Sequence, residues 1–509
     1  MFDGIELRQA LIDLFNIDVT DETISILFQA NEDIAMSVNT PNGQTDRQMI
    51  KYSVLQGDIW ASLAAGVQAD SVNKDIKEAG CGYMYRGEVE VPSLGLVDDT
   101  LCVTEPGTKA HIVNSVMNVR AGDKTLRFGA KKCKKMFIGK KGETDITGSL
   151  FVDTWHTEYV KSEGVTDRDR GGELQLREEF KGKTEMEEVN KYKYLGFVLS
   201  NSPDNMANIR SLKIKSIITT KSILSKLKSL NLQKYYFECG ILFMNSMLRT
   251  SILYACETYY NLKENELRCI ERIEESFIRQ LVSTRRYCKI ALLYLEFGVW
   301  PARFEIKRLR LLFLKYILNQ DEDSTIYRFL KIQSETKIKG DWASMCGSDL
   351  KELKIEMTIN EIKQMKISKF KSLLKDRIVR TAFQYLKSTI RTKGKEIQYD
   401  RFKISEYLLP NQYLSVDDKK LVFSLRSQCF MITDNENNEV IEKCICDANM
   451  DILHLYTCNK LNENSIIIEY RRIYDDKIPE IKIIVNRIKQ SLKKLQSYIK
   501  VNQDQKPKT

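Results

Sequence analysis

Proline and histidine are scarce in this chain, eight and three in 509 residues. Few prolines mean few enforced breaks, which suits a largely helical protein. No run of apolar residues is long enough to span a bilayer. The start, Met1-Phe2-Asp3-Gly4-Ile5-Glu6, has neither the basic end nor the apolar core of a signal peptide. The expectation is therefore an intracellular protein, nuclear or cytoplasmic, with no membrane partner. Also missing are a Walker-type phosphate loop, His-Glu-x-x-His and Gly-x-Ser-x-Gly. That leaves no case for an ATPase, a metalloprotease or a serine hydrolase.

What is present is an ordinary globular balance, 43% hydrophobic and 29% charged. The length suits roughly two to four domains. The formal net charge is +10, and the lysines cluster. Clustered cations favour an anionic partner such as nucleic acid; the alternative is that they merely solvate helices. The twelve cysteines are mostly scattered singly through apolar or helical segments. This suits buried thiols in a reducing compartment better than a disulfide framework.

Residues 1 to about 140 mix helix and strand. Leu7, Ala10, Leu11 and Leu14 share a helical face, and so do Ile24, Leu27 and Phe28. Thr40-Pro41-Asn42-Gly43 marks a turn between two extended runs. Helices are expected over 59–67 and 110–119, and a basic turn leads into a strand near 126–139. Residues 141–191 read as a polar linker or insertion, partly disordered, with charge runs such as Asp167-Arg168-Asp169-Arg170. The strand-like Tyr192-Lys193-Tyr194-Leu195-Gly196-Phe197 ends it. The rest is mainly helical. Leu267, Ile270, Ile273, Phe277 and Leu281 form one stripe, and Ile481, Ile484, Ile488, Leu492, Leu495 and Ile499 another. Both stripes read first as packing faces. Residues 502–509 read as a loose tail.

Asp98 and Asp99 lie between two short apolar runs, 94–97 and 100–103, with Pro92 before them and Pro106-Gly107 after. The pattern predicts a tight hairpin with both carboxylates at its tip. Side chains alternate along strands, so one carboxylate faces a site and the other supports it. Adjacent like charges repel unless solvated or neutralised by a cation. Magnesium takes oxygen ligands and is often held by one or two carboxylates plus substrate phosphates. The alternative is a plain surface turn, where Asp is common.

The order of features in the first 200 residues resembles the later half of a reverse transcriptase palm, of the type encoded by non-LTR (LINE-like) retrotransposons. Phe2-Asp3 looks like the end of the first palm motif, and Gln56-Gly57-Asp58 like the second. Leu96-Val97-Asp98-Asp99 looks like the third, and the basic stretch Lys131, Lys132, Lys134 and Lys135 falls where the fourth lies. Tyr194-Leu195-Gly196 matches the primer grip that leads to the thumb. Leu293-Tyr294-Leu295-Glu296-Phe297-Gly298-Val299-Trp300-Pro301 and Gly340-Asp341-Trp342 are similar to landmarks of the helical region in such elements.

The resemblance implies an α+β fold. A partial palm, a small antiparallel sheet with helices, occupies 1–140. A thumb-like helical region follows over 192–330 and a further helical region over 331–440. It implies an RNA-directed DNA polymerase that works on an RNA template, a DNA primer and deoxynucleoside triphosphates. Nucleotide addition is an in-line displacement at phosphorus, served by two Mg2+ ions roughly 4 Å apart. Asp98 would hold metal directly and Asp99 would assist. Gln56 would line the nucleotide pocket, and Gly57 would let backbone come close. Tyr194, Leu195 and Gly196 would press on the primer. The four lysines would contact phosphates, or simply solvate a turn.

The departures are specific. The family's first motif carries a further carboxylate before its Phe-Asp pair, and this chain begins directly before Phe2. Fingers and an endonuclease domain are also missing, and Leu96 replaces an aromatic residue. The expectation is an incomplete, inactive polymerase, a fragment or decayed copy. The competing reading is a non-catalytic nucleic-acid-binding protein that kept a degenerate polymerase fold.

Cys444, Cys446, His454 and Cys458 crowd a short window, 441–460. Zinc prefers four tetrahedral Cys or His ligands in closed structural sites, and a metal would order so small a segment. The window resembles the C-terminal zinc knuckle of many non-LTR polymerases, with one residue instead of two between the first cysteines. Cys429 is a substitute ligand, and unligated buried thiols are the alternative. If zinc binds, single-stranded RNA is the usual target, flanked here by the basic helix of 461–509. His111 and His156 have no ligand-like neighbours.

Overall fold

Leu7–Phe15 and Asp21–Asn31 form the first two helices, and Ala10, Leu11 and Leu14 of the first are buried as their spacing predicts. The computed structural model describes residues 7–31, 34–37, 39–41, 43–44, 48–50, 59–91, 93–96, 99–123, 128–139, 143–161, 174–202, 204–230, 233–284, 288–390, 403–427, 440–442, 444–446, 449–450, 452–461, 470–474 and 477–504. The architecture is α+β, with many helices and small two-stranded sheets. Two units emerge. One holds Met1–Pro203 with Asp323–Phe329, and the other Asp204–Glu322 with Leu330–Thr509. Among the described residues no helix is long and apolar enough to cross a membrane.

In the first unit, Ile34–Met36 pairs with Gln48–Ile50 around the turn expected near Pro41. The helix Ile59–Glu78 runs eleven residues past its expected end at residue 67. It and Thr108–Asp123 build a small core of Val72, Ile76, Cys81 and Val113. Against that core packs Cys102, at the end of an antiparallel hairpin of Ser93–Leu96 and Asp99–Cys102. Tyr83 N–H donates to Val103 O at 2.9 Å, and Gly82 bridges Thr104. These bonds join the acidic hairpin to a neighbouring one, Tyr83–Tyr85 with Val89–Val91.

Small antiparallel sheets are present among the described residues, as an α+β fold implies. Strands pair two at a time, and one pair, Lys134–Lys135 with Glu187–Glu188, is parallel. The polar stretch read as a linker or insertion contains a long antiparallel hairpin, Phe151–Lys161 with Leu174–Glu185, irregular at Thr154/Trp155. Its β-branched and aromatic content (Val152, Thr154, Trp155, Tyr159, Val160) suits extended backbone. The Asn114 and Asn118 side chains donate to Phe151 O at 2.9 and 2.8 Å, tying the hairpin to a helix.

The second unit is helical. It opens with Met206–Ser229, and its centre is the run Ile290–Glu296, all but Ile290 buried. Gly298 sits at φ +61°, where a Cβ would meet Lys403 and Ile404 backbone atoms at 2.4 Å. Only glycine fits there. The landmark sequence 293–301 is therefore a packing hub. Buried carboxylates surround it, each with an arginine. Glu274 accepts Arg249 Nε at 2.7 Å and Ala302 N–H at 2.9 Å. Glu296 accepts Arg426 Nε at 2.9 Å and the Ser405 hydroxyl. Burial pushes the Glu274 carboxyl up, and Arg249 opposes that. The C-terminal stripe is core as expected: Ile481, Ile484, Ile488 and Leu495 are buried in the helix Ile478–Asp504.

Candidate functional site

In the first unit, a hairpin is the nucleus of the candidate site. Its paired strands end at Leu96 and resume at Asp99, so Leu96 faces Asp99. This corrects the expected register by one residue: Asp99 begins the returning strand and is not part of the tip. Val97 and Asp98, the two intervening residues, lie outside the described residues. Asp99 is exposed. Gln56, Gly57 and Asp58, like Phe2 and Asp3, also lie outside the described residues.

A second hairpin, Lys191–Tyr194 with Phe197–Ser200, carries the Tyr-Leu-Gly sequence at its turn. Leu195 and Gly196 both have positive φ, 47° and 84°. That is the requirement of a type I′ turn, which matches the twist of the flanking strands. Glycine meets it freely; Leu195 is strained by it. The turn is held against the acidic hairpin. Tyr194 Oη donates to Leu94 O at 3.0 Å and to Asp99 O at 3.2 Å. Tyr192, two residues earlier and on the same strand face, donates from its Oη to Lys132 O at 3.2 Å. Burial raises both phenols above their ordinary value, and the Asp99 charge adds to the rise.

Three sequence features thus meet in one place: the acidic hairpin, the tyrosine turn and the basic turn. Lys131 and Lys132 are exposed. Lys134 and Lys135 are engaged within the protein. Lys134 meets Glu187 at 2.5 Å, while Lys135 meets Asp145 at 3.0 Å and Glu188 at 3.3 Å. Tyr192 was not singled out as a site residue. The signal for it lay in its two-residue spacing from Tyr194.

The second unit carries the candidate metal centre. The helix Ile452–Thr457 presents His454 and leads into Cys458, whose N–H donates to His454 O at 2.8 Å. Cys444 and Cys446 come from the preceding turn. One ligand atom from each of the four lies within 4.8 Å of all the others. Cys444 Sγ and Cys458 Sγ are 3.6 Å apart, Cys446 Sγ and Cys458 Sγ 3.8 Å, and Cys446 Sγ and His454 Nε2 3.1 Å. A tetrahedron with Zn–S arms of about 2.3 Å has edges of about 3.8 Å. The sulfur separations match that edge and are far too long for disulfides. The donor set, three sulfurs and one imidazole, fits zinc. The single residue between Cys444 and Cys446 does not keep either from the cluster. Cys429, the substitute ligand, lies outside the described residues.

Cys444 and Cys458 are buried. Burial pushes the Cys444 thiol up to about 12. A divalent cation reverses that preference by binding the thiolate. Arg487 of the C-terminal helix donates to Tyr456 O at 2.9 Å and stacks over its ring, which ties the helix carrying His454 to the C-terminal helix.

No protein-family model matches this chain, and no curated protein matches it. His111, expected to be ordinary, bonds through Nε2 to Thr147 O at 2.7 Å. The His156 side chain is not described.

Proposed function

We propose that this chain is part of an RNA-directed DNA polymerase of the non-LTR retrotransposon type, acting on a DNA primer paired to an RNA template. In this reading Asp98 and Asp99 supply hard oxygen donors for Mg2+. Bound there, Mg2+ would supply stabilisation of the charge that develops on the attacking and leaving oxygens. Tyr194, Leu195 and Gly196 support the primer strand beside them. The observation that carries the reading is the Tyr194 hydroxyl bonded to both strands of the acidic hairpin. A polymerase needs its primer support and its metal carboxylates at a fixed mutual distance.

Two further features support it. The helix Met206–Ser229, which follows the tyrosine hairpin in the chain, carries Arg210, Lys213, Lys215, Lys221, Lys226 and Lys228 and no acidic residue. All six are exposed, which suits contact with phosphates. The Cys3His cluster, holding Zn2+, then serves as a grip for single-stranded RNA.

The test is binding and extension of a recessed DNA primer on an RNA template, with and without Mg2+. Binding is expected to weaken steeply with salt and to tighten with Mg2+, and Asp98→Ala is expected to remove the Mg2+ effect. Any extension with deoxynucleoside triphosphates should vanish in the same variant. Binding indifferent to both Mg2+ and Asp98→Ala overturns the reading.

A further inference from the structure

A cavity of about 560 Å³ opens within the second unit between the helices Ala302–Leu318 and Trp342–Glu352. The second of the landmark sequences, Gly340-Asp341-Trp342, begins at its edge. Arg310 lines it and is only 3% exposed. One of its nitrogens, Nη1, donates to Asp349 Oδ2 at 2.6 Å. The other two, Nε and Nη2, are buried and have no hydrogen-bond partner among the described residues. A desolvated guanidinium with idle donors is costly, and native proteins rarely leave such groups unmatched.

The neighbouring carboxylates are already committed. Asp349 also accepts Lys307 at 3.1 Å, and Lys307 turns further to Glu352 at 2.7 Å. Arg303, on the same wall, is paired with Glu264 and Glu271. Lys339 lies at the rim, exposed and without an ion pair among the described residues. Ser348 adds an exposed hydroxyl. Leu267 and Ile306 supply an apolar wall. The volume is that of a small-molecule site and far exceeds one anion.

We propose that this cavity is a binding site for a phosphate monoester of a small organic molecule. Arg310 takes the phosphate through its two idle donors, Lys339 closes over it, and the apolar wall receives the body of the ligand. A guanidinium fork matches phosphate oxygens in geometry as well as charge. Nε and Nη2 are themselves buried, so a ligand engages them through a movement of the Arg310 side chain toward the cavity.

The experiment is calorimetric titration of the full chain, at constant ionic strength, with adenosine monophosphate, adenosine and inorganic phosphate. Adenosine monophosphate is expected to bind, inorganic phosphate to compete with it, and adenosine not to bind. Lys339→Glu and Ser348→Asp, both on exposed positions, should each weaken binding at least ten-fold. Arg310→Gln should abolish it; if that variant does not fold, the two exposed variants decide. Equal affinity for all variants, no preference for the monophosphate over adenosine, or binding of a 5′-phosphorylated oligonucleotide alone overturns the proposal. Loss of primer binding in Asp98→Ala would leave this result unchanged, so the two readings fail separately.

Discussion

The Tyr194 hydroxyl bonds to the Asp99 carbonyl at 3.2 Å while also reaching Leu94 on the opposite strand, at 3.0 Å. One phenol thus clips the two strands of the acidic hairpin together from outside. Tyr194→Phe keeps the ring and removes both bonds. It is expected to cost about 0.5–1.5 kcal/mol. Amide hydrogen exchange should quicken in 93–102 and leave the second unit unchanged. Unchanged exchange in that hairpin would show that the clip contributes nothing.

Zinc binding has a pH signature. The Cys444 thiol, pushed up to about 12 by burial, must lose its proton to ligate. Affinity should therefore rise with pH, and protons should be released on binding. One zinc per chain is expected by metal analysis. Cys444→Ser or His454→Ala should lower the affinity at least about ten-fold, and chelation should speed hydrogen exchange across 444–461.

Arg249 and Glu274 form a buried pair beside Trp300 O, which accepts Arg249 Nη2 at 2.5 Å. Removing one partner leaves a buried charge uncompensated. Arg249→Met alone is expected to destabilise the chain by about 3–5 kcal/mol in chemical denaturation. Arg249→Met with Glu274→Leu should recover part of that loss. Additive losses would contradict the pairing.

Asp418 holds the C-terminal helix. Its carboxylate accepts Lys482 Nζ at 2.9 Å, Lys489 Nζ at 2.5 Å and Ser415 N–H at 3.0 Å. Burial alone would raise this carboxyl, but the bonds from Lys489, Lys482 and Ser415 outweigh it and hold it far below its ordinary value. A depressed folded pKa gives stability that is complete above the unfolded value of about 3.9 and is lost as pH falls below it. Acid titration should therefore loosen 478–504 below about pH 4. In Asp418→Asn the acid-sensitive step should disappear, with a loss of about 1–3 kcal/mol at neutral pH.

Gly298→Ala meets both a positive φ and the backbone of 403–404. The expected loss is about 2–4 kcal/mol in denaturation. A neutral result would mean that the 403–404 segment does not pack there.

Local patterns carried much of the fold. Helices with a regular apolar stripe, such as Leu7–Phe15 and Ile478–Asp504, lie where periodicity puts them, because amphipathic spacing is written within one element. The cysteine–histidine cluster was legible for the same reason: its four residues fall within fifteen positions. The acidic hairpin was legible as a hairpin, but its register was off by one. Register follows from which face packs on the helices behind it, where Cys102 meets Val113 and its neighbours. The pairing of Phe151–Lys161 with Leu174–Glu185 was hidden because a two-stranded ribbon shows no clean alternation of apolar and polar residues.

Composition and spacing by themselves determined the helical character, the cysteine–histidine cluster and the acidic hairpin. Only the tertiary structure decided which charges are interior. Glu296 and Arg426 are 130 residues apart and buried together. Tyr194 and Asp99 are 95 apart and bonded. A sequence lists charges as if each faced water. Whether a partner arrives from far along the chain to make burial tolerable is a property of the folded whole.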